Sequence, residues 1–454
     1  MSKLVSDLSE GLALPRPLGS VAVAPTDEVF GSPYGVTAAA GAAVGVALGA
    51  IAVLDAVRRG GEPEPVRVDG RHAAVLYHSE RLLQAASLDN DDLWGVVTGT
   101  HRSADGWLRI HANLEPHRIA ALEVLGVPAD RDAVVEAVRR WPSQELEDAI
   151  VAAGGVAAAL RTREEWRAHP QGRAVGGTPL VASVERAEGA GLAPGRLLQG
   201  VRVLDLTRVI AGPVAGRCLA SAGADVLRVD GPLDDGRLLE VDTSLGKRRV
   251  SLDLRTDVDR RTFDTLLAGA DVLLHAFRPG ALATLGYGSD ELQRHRPGLV
   301  VGSLSAYGTV GPWGQRRGFD SVVQVVAGLA AVCGTPDGAP GALPAQALDH
   351  SSGYLLAAGV SAALARRELD GVGSDVEVSL ARTADWLEAL PATGAPSVPA
   401  LPAEVTSPSL MRTQAPGIGA VTHVRPPGRI GDRDLAWGQP PALRGRRDVT
   451  WESR

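Results

Sequence analysis

Asp349 stands in PAQALDH (344–350), directly ahead of the apolar, helix-patterned run SSGYLLAAGVSAALARR. A carboxylate at the mouth of a helix does one of two jobs. It caps the orphan N–H groups of the first turn, or it acts as a nucleophile. The local sequence leaves both open. An acyl-transferring carboxylate would need backbone donors for a developing oxyanion, and two glycine-containing stretches could offer them: SSG (351–353) and CGTPDGAPG (333–341), the second equally readable as a surface turn. Lys247 and Arg248 lie side by side in GKRR, and Arg208 follows the strand-like VRVLDL. Basic groups at loops and helix N-termini neutralise phosphates; a solvated cationic face is the alternative reading.

These residues need a scaffold, and VRVLDL, ADVLRVD, RRVSLDL, ADVLLHAF and LVVGSLSAYG supply one. They are short β-rich runs separated by helical stretches, which predicts a parallel sheet covered by helices. A nicotinamide-binding fold would show a glycine fingerprint after the first strand. TRVIAGPVAG does not provide one.

The blocks GVRVLDLTRVIAGPVAGRCLASAGADVLRVDGP (200–232), SLGKRRVSLDLR (244–255), ADVLLHAFRPGALATLGYG (270–288), SLSAYGTVGPW (303–313), RRGFDSVVQ (316–324) and the Asp349 segment together resemble the family III CoA-transferases, the group of the formyl-CoA and carnitine CoA-transferases (CaiB/BaiF). The resemblance implies an α/β fold with a Rossmann-like parallel sheet and a second, smaller α/β domain, and an interlocked homodimer. It implies Asp349 as nucleophile, forming a mixed anhydride and then an aspartyl-CoA thioester before CoA passes to a carboxylic acid. CoA contacts fall on Arg208, Lys247, Arg248, Phe277, Arg278 and Arg317. No metal or redox cofactor is implied. Ile210 replaces a polar residue of the formyl-CoA transferases and Ala276 the usual Asn of the NF motif, which counts against formyl and oxalyl specificity, and Ile210 points to a more apolar pocket wall suited to a larger acyl group. Acyl-CoA racemases share the fold, but their His falls at Phe319, which cannot carry a proton; His350, next to Asp349 but on a neighbouring backbone position, is a poor substitute, and His275 lies farther away in sequence, its placement left open. A non-catalytic partner subunit is the alternative outside enzymology, and the retention of Asp349 and GKRR argues against it.

The resemblance places the family's C-terminal portion first. GTHRSADGWLRIHANLEPHRIAALEVLGV (99–127) resembles a part that normally follows the catalytic domain. The expected organisation is an N-terminal extension (1–35), the smaller domain (36–190), the catalytic domain (198–392) and a Pro-rich linker with a C-terminal segment (393–454). A weak repeat supports common ancestry of the halves, because 41–69 and 351–379 both read as apolar helix, charged end, glycine turn at Gly61 or Gly371, and short strand. The first copy has no carboxylate between Glu28 and Asp55, so one nucleophile is expected.

A net charge of -7 argues against a general polyanion binder, and 45% hydrophobic with 22% charged residues reads as globular. Two cysteines, Cys218 and Cys333, form neither a disulfide framework nor a metal-ligand spacing, and Asp7 and Glu10 interrupt any leader-like run. Cytoplasmic residence follows as the expectation. Val36 to Leu54 carries no charge and has the length of a membrane span, but its Ala, Gly and Val content reads better as a buried helix.

Overall fold

The computed structural model describes residues 2–25, 27–88, 94–233, 236–391, 401–445 and 450–451. Its centre is a seven-stranded sheet. In chain order the strands are β1 (Ala182–Glu188), β2 (Arg202–Asp205), β3 (Asp225–Asp230), β4 (Arg248–Ser251), β5 (Val272–His275), β6 (Val300–Ser305) and β7 (Val372–Ser379), arranged β4-β3-β2-β5-β6-β7-β1. Every pair is parallel except β7 with β1. The inner strands read as continuous Val/Leu runs because helices cover both of their faces. β1, from the stretch assigned to the smaller domain, closes the edge of this sheet.

The order reverses between β2 and β5. In a doubly wound sheet the loops that leave such a pair diverge and open a crevice at the carboxyl ends of the strands, the usual place for a ligand. Arg208 lies on the loop after β2, and Phe277 and Arg278 on the loop after β5.

Four helices matter for the site: α1 (Val36–Arg59), α2 (Ala211–Ser221), α3 (Asp320–Val326) and α4 (Ala347–Asp370). α1 is long and apolar enough to cross a bilayer, yet it is buried in the protein, where it packs lengthwise on α4. α1 and α4 each have 24 residues and each stops at a left-handed glycine. The stop glycines are Gly60 and Gly371, so the repeat holds with its first turn one residue earlier than Gly61. The strands that follow enter different sheets: β7 joins the large one, and Val66–Asp69 joins a four-stranded sheet. α2 packs tightly against α4, because a Cβ at Gly353 would lie 2.5 Å from the Ala211 carbonyl oxygen and 2.7 Å from Val214 Cβ. That approach sets the start of α2 beside the start of α4.

The smaller α/β unit pairs Gly99–Arg102, Trp107–Ile110 and Ala157–Ala159 and covers them with helices Glu115–Leu125, Arg131–Val138 and Ser143–Ala152 around their own apolar core. Buried Glu147 ties this unit to the part of the chain that carries the large sheet, accepting from Arg161 at 2.9 Å and Arg316 at 2.7 Å. Most of the Pro-rich linker lies outside the described residues. From Ala403 onward the chain is ordered as a short helix and a hairpin (Leu410–Ala415, Gly419–Val424) rather than a linker. Trp437 packs back on the body, where its indole N–H donates to the Arg217 carbonyl at 3.1 Å.

Candidate active site

Asp349 is the third residue of α4, and it does not cap the helix. The cap comes from Asp320, at the start of α3, whose Oδ2 accepts the Leu348 N–H at 2.8 Å and the Asp349 N–H at 2.9 Å. Gln324, one turn along α3, donates to the Asp320 carboxylate and accepts the Leu343 N–H at 2.8 Å, so the cap is itself held in place. Of the two uses left open by the sequence, capping therefore falls to Asp320 and not to Asp349. Among the described residues, the Asp349 carboxyl has no hydrogen-bond or ion-pair partner, although it is 6% exposed. It faces a cavity of about 60 Å³ walled by Val209, Ile210, Leu239, Phe319 and Trp94, with Glu80, His111 and Asn113 also on its lining. Ile210 makes this wall apolar, as its sequence position suggested.

Burial raises the Asp349 pKa well above the carboxylate range, and the nearby charges of Asp320 and Glu80 raise it further. Asp320 is pushed up to about 6, first by burial, which its hydrogen bonds only partly offset. Glu80 behaves differently. Burial alone would raise it, but the His350 imidazole, 3.2 Å from its Oε2, draws it below the usual value. His350 is fully buried and stacked on Tyr77 with ring centroids 5.0 Å apart, so it faces Glu80 and not the cavity. His275, the last residue of β5, is half-buried on a separate cavity with Phe277 and Asp375, and desolvation lowers its pKa to about 4. Removing the Glu80 charge should therefore ease ionisation of Asp349. In Glu80→Gln the acid limb of the pH–rate profile is expected to move to lower pH with a severalfold gain in rate on that limb and an unchanged plateau, measured by initial rates from pH 5 to 9.

The basic residues divide into two groups. Arg208, Arg278 and Arg317 converge on His117, whose pKa is brought to about 4 by burial and then by these three guanidinium charges. His117 meets Phe319 edge-on at 5.8 Å, and Phe319 lines the Asp349 cavity. The arginine cluster is thus separated from Asp349 by an aromatic pair. Arg208 also borders a crevice of about 290 Å³ with Leu206, Val229, Leu252, Leu254 and Phe277, at the carboxyl ends of β2 to β5. The β2 loop joins the two spaces, because Leu206 to Arg208 face the crevice while Val209 and Ile210 face Asp349. Val209 holds φ at 65°, a left-handed conformation that a β-branched residue adopts at a cost of about 1–3 kcal/mol. Phe277 also packs against the core cluster beneath the sheet.

Lys247 and Arg248 lie elsewhere. The Lys247 ammonium is fully buried, 2.7 Å from Asp205 and 2.9 Å from the Pro213 carbonyl, and burial lowers its pKa to about 8. Arg248 makes a two-pronged bond to Asp225 at 2.8 Å and donates to the Thr450 carbonyl. Their charges are spent inside the protein. The glycine stretches also differ from expectation. Residues 351–353 are inside α4, so their N–H groups belong to the helix, and the 333–341 turn uses its Thr335, Gly338 and Gly341 N–H groups on its own carbonyls or on Ala330. Asp320, Glu80, His111, Asn113 and His117 were missed. Asp320 sits in RRGFDSVVQ beside the residue weighed for racemase chemistry, and its place at a helix start was the available signal. The others come from the N-terminal half, and only folding brings them to Asp349.

Residues 198–409 match the family described as CoA-transferase family III. A probable fatty acyl-CoA transferase of Mycobacterium tuberculosis is 39% identical over 212 residues, covering 43% of this chain and 53% of that protein. An acyl-CoA transferase of Gibberella moniliformis is 33% identical over 299 residues, covering 59% and 52%. Among solved structures, a CaiB/BaiF family protein from Brucella suis is 28% identical, covering 42% of this chain and 55% of that one, with a TM-score of 0.40. The chain spans about half the length of the curated relatives it matches. The segment 198–409, which holds Asp349, Asp320 and the switch-point loops, is thus the part of the chain that matches CoA-transferase family III.

Proposed function

We propose that this protein is an enzyme that moves CoA from an acyl-CoA to a carboxylic acid through a covalent intermediate on Asp349. One observation carries the reading: Asp349 is buried at a helix start and free of the capping task, in a cavity adjoining an arginine-lined crevice. A carboxylate oxygen of Asp349 attacks the thioester carbonyl carbon, the C–S bond breaks, and CoA leaves as thiolate, giving a mixed anhydride. The thiolate then attacks the Asp349 carbonyl carbon and expels the donor acid, leaving an aspartyl-CoA thioester. The acceptor carboxylate attacks that thioester, and the returning thiolate takes the acceptor acyl group and restores Asp349. The apolar walls of the cavity favour an apolar acyl group beside the reacting carbon.

The CoA nucleotide is assigned to the crevice at the sheet's switch point, with Arg208, Arg278 and Arg317 toward its phosphates and Phe277 against an apolar face. Lys247 and Arg248 are left out of this site. Arg208→Gln and Arg317→Gln are each expected to raise the KM for acyl-CoA about tenfold, from one lost charge-assisted contact of about 1.5 kcal/mol, with a smaller change in kcat. Steady-state kinetics over a range of donor concentrations would check this.

The homodimer and cytoplasmic residence belong to the same proposal. Both walls of the Asp349 cavity come from one chain, Glu80, Trp94 and His111 from one half and Ile210 and Phe319 from the other. The covalent step is tested by intact-protein mass spectrometry after incubation with a panel of acyl-CoAs, followed by hydroxylamine. An adduct on Asp349 that is absent from Asp349→Ala supports the reading, and its absence with every donor overturns it.

A further inference from the structure

We propose that His111, from the N-terminal half of the chain, is a catalytic residue that hydrogen-bonds the thioester oxyanion as Asp349 attacks. The inference rests on Asp349 as nucleophile and supplies what that reading lacks. The attack converts a carbonyl oxygen into an oxyanion that needs a donor in a site shielded from water. Residues 351–353 are inside α4, and the N–H groups of Gly334, Gly338 and Gly341 are bonded to the Ala331, Thr335 and Ala330 carbonyls, so the glycines of neither stretch offer a free donor.

His111 follows the strand Trp107–Ile110 of the smaller unit and lines the Asp349 cavity. Its ring lies flat on Phe319, with centroids 3.8 Å apart and planes 9° from parallel, and Trp94 meets it edge-on at 6.0 Å. This packing fixes the ring plane. The buried Nδ1 has no partner among the described residues. A buried polar group without a partner costs about 1–3 kcal/mol, so its retention beside a reactive carboxylate calls for a ligand that completes it. Charge is also controlled. Burial, with Arg109 and His117 adding to it, lowers the His111 pKa to about 3. The imidazole is therefore neutral throughout the working range, and a neutral ring donates one N–H without itself losing a proton. Arg316 holds the Phe319 loop against the smaller unit by bonding Glu147 and the Ala157 carbonyl, which keeps His111 and Phe319 in register.

The test uses the full chain and acetyl-CoA and hexanoyl-CoA as probes, following the rate of adduct formation on Asp349 by rapid-quench mass spectrometry. His111→Phe, which keeps the stacking and removes the donor, is expected to slow adduct formation about 10²- to 10³-fold with little change in KM. The loss should be constant from pH 5 to 9, because the group it replaces does not titrate there. His111→Gln should recover at least a tenth of the wild-type rate. If His111→Phe does not fold, judged by circular dichroism, the contrast of His111→Met with His111→Gln decides, since only the second keeps a donor. A rate within threefold of wild type in His111→Phe or His111→Met would overturn the proposal. So would wild-type exchange of the acyl α-proton in D2O that disappears in these variants, which would make His111 a base. If wild type forms no adduct with either probe, the nucleophile reading fails and takes this inference with it; adduct formation undiminished in the variants removes the inference alone.

Discussion

Asp349→Ala is expected to lower turnover by about 10⁴- to 10⁶-fold, the scale seen when a covalent nucleophile is removed from an otherwise intact site. The comparison that isolates chemistry is Asp349→Asn, which keeps the shape and should lose nearly as much, because an amide does not form the anhydride. Stability should move the opposite way. In the folded protein burial raises the Asp349 pKa, with Asp320 and Glu80 adding to the rise. The folded state thus binds more protons than the unfolded chain from the ordinary carboxylate pKa upward. Stability falls as pH rises through that window, and the penalty is complete above the folded pKa. Asp349→Asn removes it, so the variant should melt higher than wild type at pH 8 and nearly equal to it at pH 4. A variant that loses activity and also loses stability at pH 8 would mean that Asp349 is structural.

The same carboxylate shows how far the sequence could be read. Its position ahead of an apolar helix marked it as important but left cap and nucleophile undecided, because a cap can come from any residue that folding delivers. Here it comes from Asp320, 29 positions earlier in the chain. The sheet was legible because buried parallel strands announce themselves as short Val/Leu runs, and the folded order of those strands places Arg208 and Phe277 at one crevice. The GKRR pair was misleading for a physical reason. Sequence shows that charges are adjacent but not which face of a strand each occupies, and Lys247 turns inward to Asp205 while Arg248 is engaged by Asp225. The residues opposite Asp349 could not be read at all. Glu80 and His111 have no local motif and reach the cavity through the packing of the chain's two halves.

Lys247→Ala is expected to destabilise the fold by about 3–5 kcal/mol, because it strands a buried carboxylate. Asp205 and Lys247 are both wholly shielded, and they bond at 2.7 Å between the end of β2 and the start of β4. Asp205 also accepts the Thr207 N–H at 2.9 Å and the Thr207 hydroxyl, so it shapes the loop that carries Arg208. Loss of the ammonium leaves that charge unpaired in a medium of low dielectric, and the loop loses its anchor. A phosphate-contacting lysine predicts otherwise: higher KM, unchanged stability, and no remedy at Asp205. The double variant Lys247→Met with Asp205→Asn separates the two cases. It removes both charges, keeps an acceptor for Thr207, and should restore most of the denaturant midpoint lost in Lys247→Ala, since a buried pair replaced as a unit is often close to neutral. Recovery of stability together with near-normal KM for acyl-CoA would establish Lys247 as the internal support of the Arg208 loop; recovery of stability with KM still raised severalfold would return it to the CoA site.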